Sequence, residues 1–289
     1  MLPRWIGLFV IAIILFLLAG MGIVLRQRMR VDADMLRCQN HLREISLFAG
    51  RFSQENPAQP ALTNEIPAGT IANRALPTED RLSWFVTALP WLDQKRLPMA
   101  DLASRVERSQ PWNSKENTDV SRLKLPMLLC PGLPPMVAAN QPAPTSYFGT
   151  AGLGIEAAKL TIRRVDLRLG NFGSWQPWQV PEGAGCFRYE MPTPFVVIAD
   201  GLSQTIMIGE REPSPGPWLQ GGPSTVRGYD IAPDAPPPVG TGGQFGGGHP
   251  AVANFAFADG HVAPISVHID PQLLRLQLTI ADGVVVRDE

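Results

Sequence analysis

The chain has 289 residues, and its 25 Lys and Arg side chains nearly balance its 26 Asp and Glu side chains, which gives a formal net charge of -1. This balance argues against a polyanion-binding surface, so we expect no nucleic-acid partner. The 29 prolines and 27 glycines indicate many turns and irregular loops between short strands.

The N-terminus predicts a membrane-spanning helix. No charged residue occurs between Arg4 and Arg26, and about 21 residues at a rise of 1.5 Å reach roughly 31 Å, the thickness of the hydrocarbon core of a bilayer. A cleaved signal peptide is the alternative, but its apolar region usually covers only about 7–15 residues, and no A-x-A-like site follows here. We therefore interpret residues 1–30 as a transmembrane anchor with its flanks.

The same helix is predicted to continue as an amphipathic spine over residues 31–55. Its apolar residues follow one another in alternating steps of four and three, which places them on one helix face. They are Val31, Met35, Cys38, Leu42, Ile45, Ala49 and Phe52. Asn56-Pro57 is predicted to end the helix. We expect residues 31–289 to form one α+β domain.

The segment that follows the spine mixes loops with short elements. Residues 57–74 have no periodicity and predict a loop. The apolar stripe between Arg81 and Gln94 predicts a helix with a kink at Pro90. A short helix is expected from Val120, and the apolar run Pro126–Pro131 predicts a strand that prolines enclose.

The middle of the chain predicts several strands. Residues Thr145–Thr150 have strand composition, and Leu160–Leu169 predicts a bulged strand at a sheet edge. Three further strands are expected to form a meander, namely Cys186–Glu190, Phe195–Ala199 and Thr205–Gly209, with Asp200-Gly201 as the turn between the last two.

The C-terminal part begins with a glycine-rich loop, Gly240–His249. The loop lacks the Lys-Ser/Thr pair of a phosphate-binding loop and leads into a strand, so we do not expect a phosphate site. Two strands, Val252–Ala258 and His261–Val267, flank Asp259-Gly260, and this pattern predicts a β-hairpin. A helix over Pro271–Ile280 and a last strand, Val284–Val286, complete the prediction.

The three cysteines Cys38, Cys130 and Cys186 form neither a C-x-x-C pair nor a spacing typical of zinc sites. If the domain is exported, one pair is expected to oxidise; if it is cytoplasmic, all three are expected to be buried thiols. The sequence does not determine the pair, and we favour Cys38 with Cys130.

Two groups of polar residues are candidate sites. A metal or acid–base site at His249, Asp259 and His261 is conceivable, but neighbouring strand residues point to opposite faces, so a turn with hydrogen-bonded histidines is the favoured interpretation. The second group is Asp200, Ser203 and Thr205. Their side-chain oxygen atoms could bind calcium or could form hydrogen bonds within an Asx turn, and we favour the turn. No G-x-S-x-G motif occurs. We therefore predict no catalytic, cofactor-binding or metal-binding residue and no enzymatic activity.

Ordered motifs give the chain a family resemblance. His249, nine residues and Asp259-Gly260 resemble the C-terminal H-x9-DG signature of pilin-like proteins abundant in planctomycete-type bacteria, a family of unknown function. Further similar blocks are Arg37–Ile45, Leu82–Trp84 with Leu89–Gln94, Leu129–Pro131, Thr145–Tyr147 and Asp200–Thr205 with Gly209-Glu210. The signature residues of unknown role are Cys38, Cys130, Asp200, Gly201, Ser203, Thr205, His249, Asn254, Asp259 and Gly260.

The resemblance implies a pseudopilin-like architecture, in which a long N-terminal helix packs its second half on a mainly antiparallel sheet. The usual prepilin processing motif is missing after Gly7, and Ala12 stands where related pilins carry a glutamate, which argues against processing and against assembly as a main filament subunit. Counting Arg26, Arg28 and Arg30 favours a cytoplasmic domain, whereas the resemblance implies an extracytoplasmic one, and we follow the resemblance.

We therefore expect a single-pass protein of the cytoplasmic membrane with a structural or accessory role in a secretion or fibre system. Its expected partners are the bilayer and other pilin-like subunits. The alternatives are a tethered glycan- or solute-binding protein that uses tryptophan rings, and a metal-dependent hydrolase around His249. The rings in question are Trp84, Trp91, Trp175 and Trp178.

Overall fold

One helix dominates the computed structural model of the protein. The structure describes residues 4–54, 65–92, 99–133, 140–164, 167–168, 174–175, 178–211 and 216–282. Helix α1 covers Arg4–Gln54, 51 residues without a break, and at 1.5 Å per residue it is roughly 77 Å long. The continuous N-terminal helix is thus confirmed, whereas its predicted stop at Asn56-Pro57 lies outside the described residues.

The first half of α1 exposes its apolar side chains. Large side chains are exposed at Phe9, Ile13, Ile14, Leu15, Phe16, Leu17, Leu18, Met21, Ile23, Val24 and Leu25. Among the residues that the structure describes, no helix is both long enough and apolar enough to meet the requirement for a membrane span. The predicted transmembrane span of residues 1–30 is therefore not supported by the described helix.

The second half of α1 packs against the rest of the protein. Three residues of the predicted stripe are fully buried: Cys38, Leu42 and Ile45. Val31 is exposed and Met35 is half-buried, so the packing begins only after these positions. Phe48, which the stripe did not include, is also buried. The side chains of Ala49 and Phe52 are outside the described part.

Eleven strands are present within the described ranges. In chain order they are β1 Glu65–Ile66, β2 Tyr147–Leu153, β3 Arg163–Arg164, β4 Leu167–Arg168, β5 Ser174–Trp175, β6 Trp178–Gln179, β7 Thr193–Pro194, β8 Ile206–Glu210, β9 Val226–Tyr229, β10 Val252–Phe257 and β11 Val262–Ser266. Five of them form the central sheet in the order β11-β10-β8-β2-β9. Its pairs are antiparallel except β2–β9, which is parallel. The chain is therefore a mixed α+β protein.

The other helices are short. They are α2 Phe85–Ala88, α3 Met99–Ser104, α4 Thr118–Ser121 and α5 Pro271–Leu278. Helix α5 begins with Pro271 at its first position and with the Asp270 side chain accepting a hydrogen bond from the Gln272 amide at 2.8 Å. Such a cap and a proline at this position are typical helix starts. The predicted C-terminal helix is thus confirmed.

The two faces of the central sheet are covered by different helices. Helix α1 contacts β10, β11 and β8, whereas α5 contacts β2 and β8. Ile45 of α1 belongs to one buried apolar cluster with Met207 and Ala256. Phe255 of β10 belongs to a second cluster, together with Leu274 of α5. Alternate residues of β10 thus face opposite layers, as expected for a strand.

Several strand predictions were wrong, because a short apolar run does not by itself distinguish a strand from a turn. Pro126–Leu128 and Phe195–Val197 form 3-10 turns, and a proline at or just before the first position presets the backbone for such a turn. Cys186–Glu190 forms no strand. The predicted strand Val284–Val286 lies outside the described residues.

The hairpin prediction was correct. Strands β10 and β11 pair antiparallel, and the turn between them contains Gly260 with a φ of 91°. A positive φ favours glycine, since other residues meet a steric penalty there. The hairpin therefore rests on local turn chemistry that the sequence displays directly.

A close backbone contact beside β2 gives a testable prediction for stability. Gly152 has a φ of 102°, and a Cβ added to it would lie 1.9 Å from the carbonyl oxygen of Gly183. We expect Gly152→Ala to lower the free energy of unfolding by about 3 kcal/mol or more, through strain and overpacking together. Chemical denaturation followed by circular dichroism measures the change.

Gly154 is the matched control for this substitution. It also has a positive φ, 93°, but no atom lies within 4 Å of a Cβ built on it. Gly154→Ala should therefore cost only about 1 kcal/mol, from backbone strain alone. Equal losses of stability in the two variants would contradict the assigned close contact.

Candidate functional site

Four side chains from distant parts of the chain meet beneath the second half of α1. They are Cys38 of α1, Cys130 after the 3-10 turn, Glu210 at the end of β8 and His249 before β10, and we call them the buried cluster. One sulfur, nitrogen or oxygen atom of each lies within 4.8 Å of the others. All four residues are buried, so the cluster is an interior polar site.

The elements that carry these residues fix their positions. Cys38 lies on the packing face of α1. The amide of Cys130 donates a hydrogen bond to the Ser146 hydroxyl at 3.0 Å, which ties this loop to the segment leading into β2. A Cβ on Gly248 would lie 2.1 Å from the carbonyl carbon of Gly132. The loops that carry Cys130 and His249 therefore touch backbone to backbone.

The distances within the cluster are short. The Cys38 and Cys130 sulfur atoms are 2.8 Å apart, and His249 Nε2 lies 3.3 Å from the Cys130 sulfur. A disulfide bond needs about 2.05 Å, and all three cysteines of the protein are free thiols in the structure. The structure thus brings the favoured pair together, while oxidative pairing stays a prediction.

Glu210 is held by a chain of polar contacts that begins on α1. The Gln39 side chain donates to Asn254 Oδ1 at 3.1 Å. Asn254 in turn donates through its amide and its side chain to Glu210 Oε2, at 2.8 and 2.9 Å. Glu210 Oε1 accepts no hydrogen bond and lies 3.6 Å from His249 Nε2. One carboxylate oxygen is therefore fixed, and the other is aimed into the cluster.

The cluster shifts the proton affinity of its members. Donation from Cys38 outweighs burial and lowers the pKa of Cys130 to about 6. The same hydrogen bond, together with burial, raises the pKa of Cys38 far above its usual range. For His249, burial opposes protonation, but the hydrogen bond to Cys130 and the attraction of the nearby Glu210 carboxylate prevail and raise its pKa to about 10. Cys130 is therefore the more acidic of the two thiols.

The site has the donor atoms of a metal centre and also the groups of a cysteine–histidine nucleophile. A nucleophile must reach its substrate, yet His249 and the two cysteines are buried. Three surface cavities among the described residues are lined by other side chains. The arrangement therefore fits the holding of a ligand inside the protein better than it fits catalysis.

The predicted group of His249, Asp259 and His261 does not meet at one site. His261 Nδ1 is 2.6 Å from Asp259 Oδ1, on the exposed hairpin turn. His249 joins the buried cluster instead, so the structure separates the three residues into two places. Gly260 contributes its carbonyl oxygen, which accepts a hydrogen bond from Ser46 of α1 at 3.3 Å.

The Asp200–Thr205 segment forms a turn. Gly201 has a φ of 100°, and the Thr205 hydroxyl donates to the Gly201 carbonyl at 3.0 Å. Asp200 Oδ2 accepts a hydrogen bond from the Asp282 amide at 2.9 Å, and Ser203 is exposed. These contacts fit the turn interpretation, because the side-chain oxygens of Asp200 and Thr205 form hydrogen bonds with backbone groups.

Of the four candidate tryptophan rings, the structure describes Trp84 and Trp178, and neither is exposed. Trp84 is fully buried, and its indole donates to the Thr225 carbonyl at 3.1 Å. Trp178 is half-buried against the core. The side chains of Trp91 and Trp175 lie outside the described part of the chain. Trp84 therefore cannot contribute to a glycan-binding surface.

Sequence reasoning missed Glu210 and Gln39 as parts of the site. Gly209-Glu210 was recognised only as a family motif, although a carboxylate that ends an apolar strand is a signal of a buried polar role. Gln39 follows Cys38 on α1 and carries no signal of its own. Local spacing gave no indication that cysteines 92 residues apart meet.

The contacts of Asn254 predict a large loss of stability when this side chain is shortened. Asn254→Ala removes a donor from the buried carboxylate of Glu210, so we expect a loss of about 2–3 kcal/mol in the free energy of unfolding. Gln39→Ala removes only a half-buried donor to Asn254, and we expect about 1 kcal/mol. Chemical denaturation of both variants measures the difference. A greater loss from Gln39→Ala would contradict the described network.

The comparisons with known proteins identify the family but no function. Neither the curated proteins nor the solved structures contain a match to this chain. A family model described as "Protein of unknown function (DUF1559)" matches residues 27–272. The matched range covers most of the chain and contains all four residues of the buried cluster. The protein therefore belongs to the DUF1559 family.

Proposed function

We propose that the protein is a single-pass, membrane-anchored, pilin-like component of the cell envelope, with a structural or accessory role in a secretion or fibre system. One observation carries the proposal. A single helix, α1, exposes apolar side chains along its first half and packs its second half on a mixed sheet.

The exposed apolar surface surrounds the first half of α1. Six successive residues, from Ile13 to Leu18, have exposures of 44–79%. Because successive residues of a helix are about 100° apart, these side chains point in every direction. A surface of this kind is unfavourable in water and is typical of contact with an apolar medium. The described helix does not meet the length and apolarity requirement for a membrane span. The proposal of a bilayer anchor is therefore supported by this exposed apolar surface alone.

The pilin-like part of the proposal rests on architecture and motif resemblance. A spine helix on a sheet, with the H-x9-DG signature at His249 and Asp259, is what the resemblance implies. Ala12 offers no carboxylate that would pair with an amino terminus in an apolar bundle. An accessory subunit therefore fits better than a main filament subunit.

Membrane attachment is tested by fractionation of cells that make the full chain. The wild type should resist extraction by high salt and alkali and should be released by detergent. Leu15→Arg combined with Leu17→Arg places two charges in the middle of the apolar run, at a cost of about 5–7 kcal/mol on an insertion scale. We expect this variant to leave the membrane fraction.

Ile155→Arg is the matched control, since Ile155 is 67% exposed on the globular part. This variant should stay with the membrane as the wild type does. A wild-type chain that is found in the soluble fraction, or a double variant that stays inserted, would refute the anchor.

The side of the membrane on which the domain lies has a separate test. A C-terminal fusion to alkaline phosphatase, which is active only outside the cytoplasm, should be active. A fusion to a reporter that works only in the cytoplasm should be silent. The opposite pattern would place the domain inside the cell, as the arginine count indicates.

A further inference from the structure

We propose that Cys38, Cys130, Glu210 and His249 bind one zinc ion, which fastens α1 to the central sheet. The proposal concerns the interior of the domain and does not depend on membrane attachment. It rests on donor chemistry, on geometry and on one buried carboxylate oxygen that accepts no hydrogen bond.

The donor set suits zinc. Two cysteine sulfurs, one imidazole nitrogen and one carboxylate oxygen are ligands that Zn²⁺ accepts in tetrahedral sites, whereas calcium and magnesium require oxygen ligands. All four donor atoms lie within 4.8 Å of one another. The chemistry of the cluster therefore favours a borderline-soft cation over a hard one.

The distances are close to those of a four-coordinate site. From zinc–ligand lengths of 2.0–2.3 Å, tetrahedral geometry places sulfur–nitrogen and nitrogen–oxygen pairs about 3.4–3.6 Å apart. The corresponding distances here are 3.3 Å from the Cys130 sulfur to His249 Nε2 and 3.6 Å from His249 Nε2 to Glu210 Oε1. The two sulfurs, now 2.8 Å apart, need to separate by roughly 1 Å to bind one ion.

Glu210 supplies the independent observation. Its side chain is fully buried, its Oε2 is held by Asn254, and its Oε1 accepts no hydrogen bond. Buried polar atoms are almost always partnered, because an unpartnered one costs free energy. A cation bound at Oε1 removes this cost, and Asn254 acts as the outer-shell partner that orients the ligand.

A zinc ion also explains the cluster better than a disulfide bond does. A Cys38–Cys130 disulfide would join two of the four residues and would leave Glu210 Oε1 without a bond. The cluster is enclosed and takes all four ligands from the protein, which is typical of structural rather than catalytic zinc. The ion would connect α1, the Cys130 loop, β8 and the approach to β10.

The first test measures metal in the full chain, purified in detergent with a reductant. Elemental analysis should find about one zinc per chain. After removal of zinc with a chelator, added Co²⁺ should give the visible ligand-field bands of a tetrahedral site and the near-ultraviolet band of thiolate coordination. Absence of metal uptake by a protein with two free cluster thiols would overturn the proposal.

The second test compares variants by competition with a chromophoric chelator. Cys38→Ser, Cys130→Ser, Glu210→Gln and His249→Asn should each weaken zinc binding by more than about 100-fold, beyond the 10–100-fold effect of losing an outer-shell partner. Cys186→Ser is the matched control, because Cys186 is equally buried but lies outside the cluster. It should keep wild-type affinity.

Folding is separated from binding by the choice of variant. Glu210→Gln preserves the size of the side chain, and circular dichroism checks its fold. If Glu210→Gln is folded and binds zinc as tightly as the wild type, the proposed ligand set is wrong.

Mass spectrometry after alkylation detects a Cys38–Cys130 disulfide, and a reduced protein that still fails to bind zinc excludes the site. Either result leaves the membrane proposal untouched, because these measurements are made in detergent.

Discussion

The contact between the second half of α1 and the central sheet is the constraint on which the rest of the structure depends. Leu42, Ile45 and Phe48 bury their apolar side chains there, whereas residues 13–25 of the same helix are exposed. Burial of apolar surface is the main stabilising contribution to folding. This contact therefore determines the point along α1 at which the helix joins the folded domain. It also sets the direction in which the exposed half projects.

Apolar packing alone does not fix how a helix is rotated or how far it slides along a sheet. Polar contacts provide that specificity here. Gln39 reaches Asn254 on β10, Ser46 reaches the carbonyl of Gly260, and Cys38 reaches Cys130. Since each contact loses its partner if α1 slips by one residue, the three together define one register. The buried cluster thus links the position of α1 to the position of the central sheet.

The sequence predicted the features that depend on local patterns. The long helix followed from an uninterrupted apolar run and its stripe, and the β10–β11 hairpin followed from Asp259-Gly260. Phe195–Val197 was wrongly predicted as part of a strand, because an apolar run beside Pro194 does not distinguish a strand from a turn.

The buried cluster was beyond local reasoning for a different reason. Cys38 and Cys130 are 92 residues apart, and no spacing rule connects them. In the sequence, Glu210 is only the last residue of a predicted strand. Its hydrogen bond from Asn254 of β10 forms in the folded protein. Only the tertiary arrangement shows that the carboxylate is buried and half-satisfied, which is the observation that gives the site its chemical meaning.

Hydrogen exchange measured by mass spectrometry on the full chain tests most directly whether the buried cluster fastens α1 to the sheet. In the wild type, amides from Cys38 to Phe48 and those around Cys130 should exchange slowly. In Glu210→Gln, both segments should lose protection together while α5 keeps its own, because α5 packs on the opposite face. Unchanged protection of Cys38–Phe48 in that variant would contradict the account.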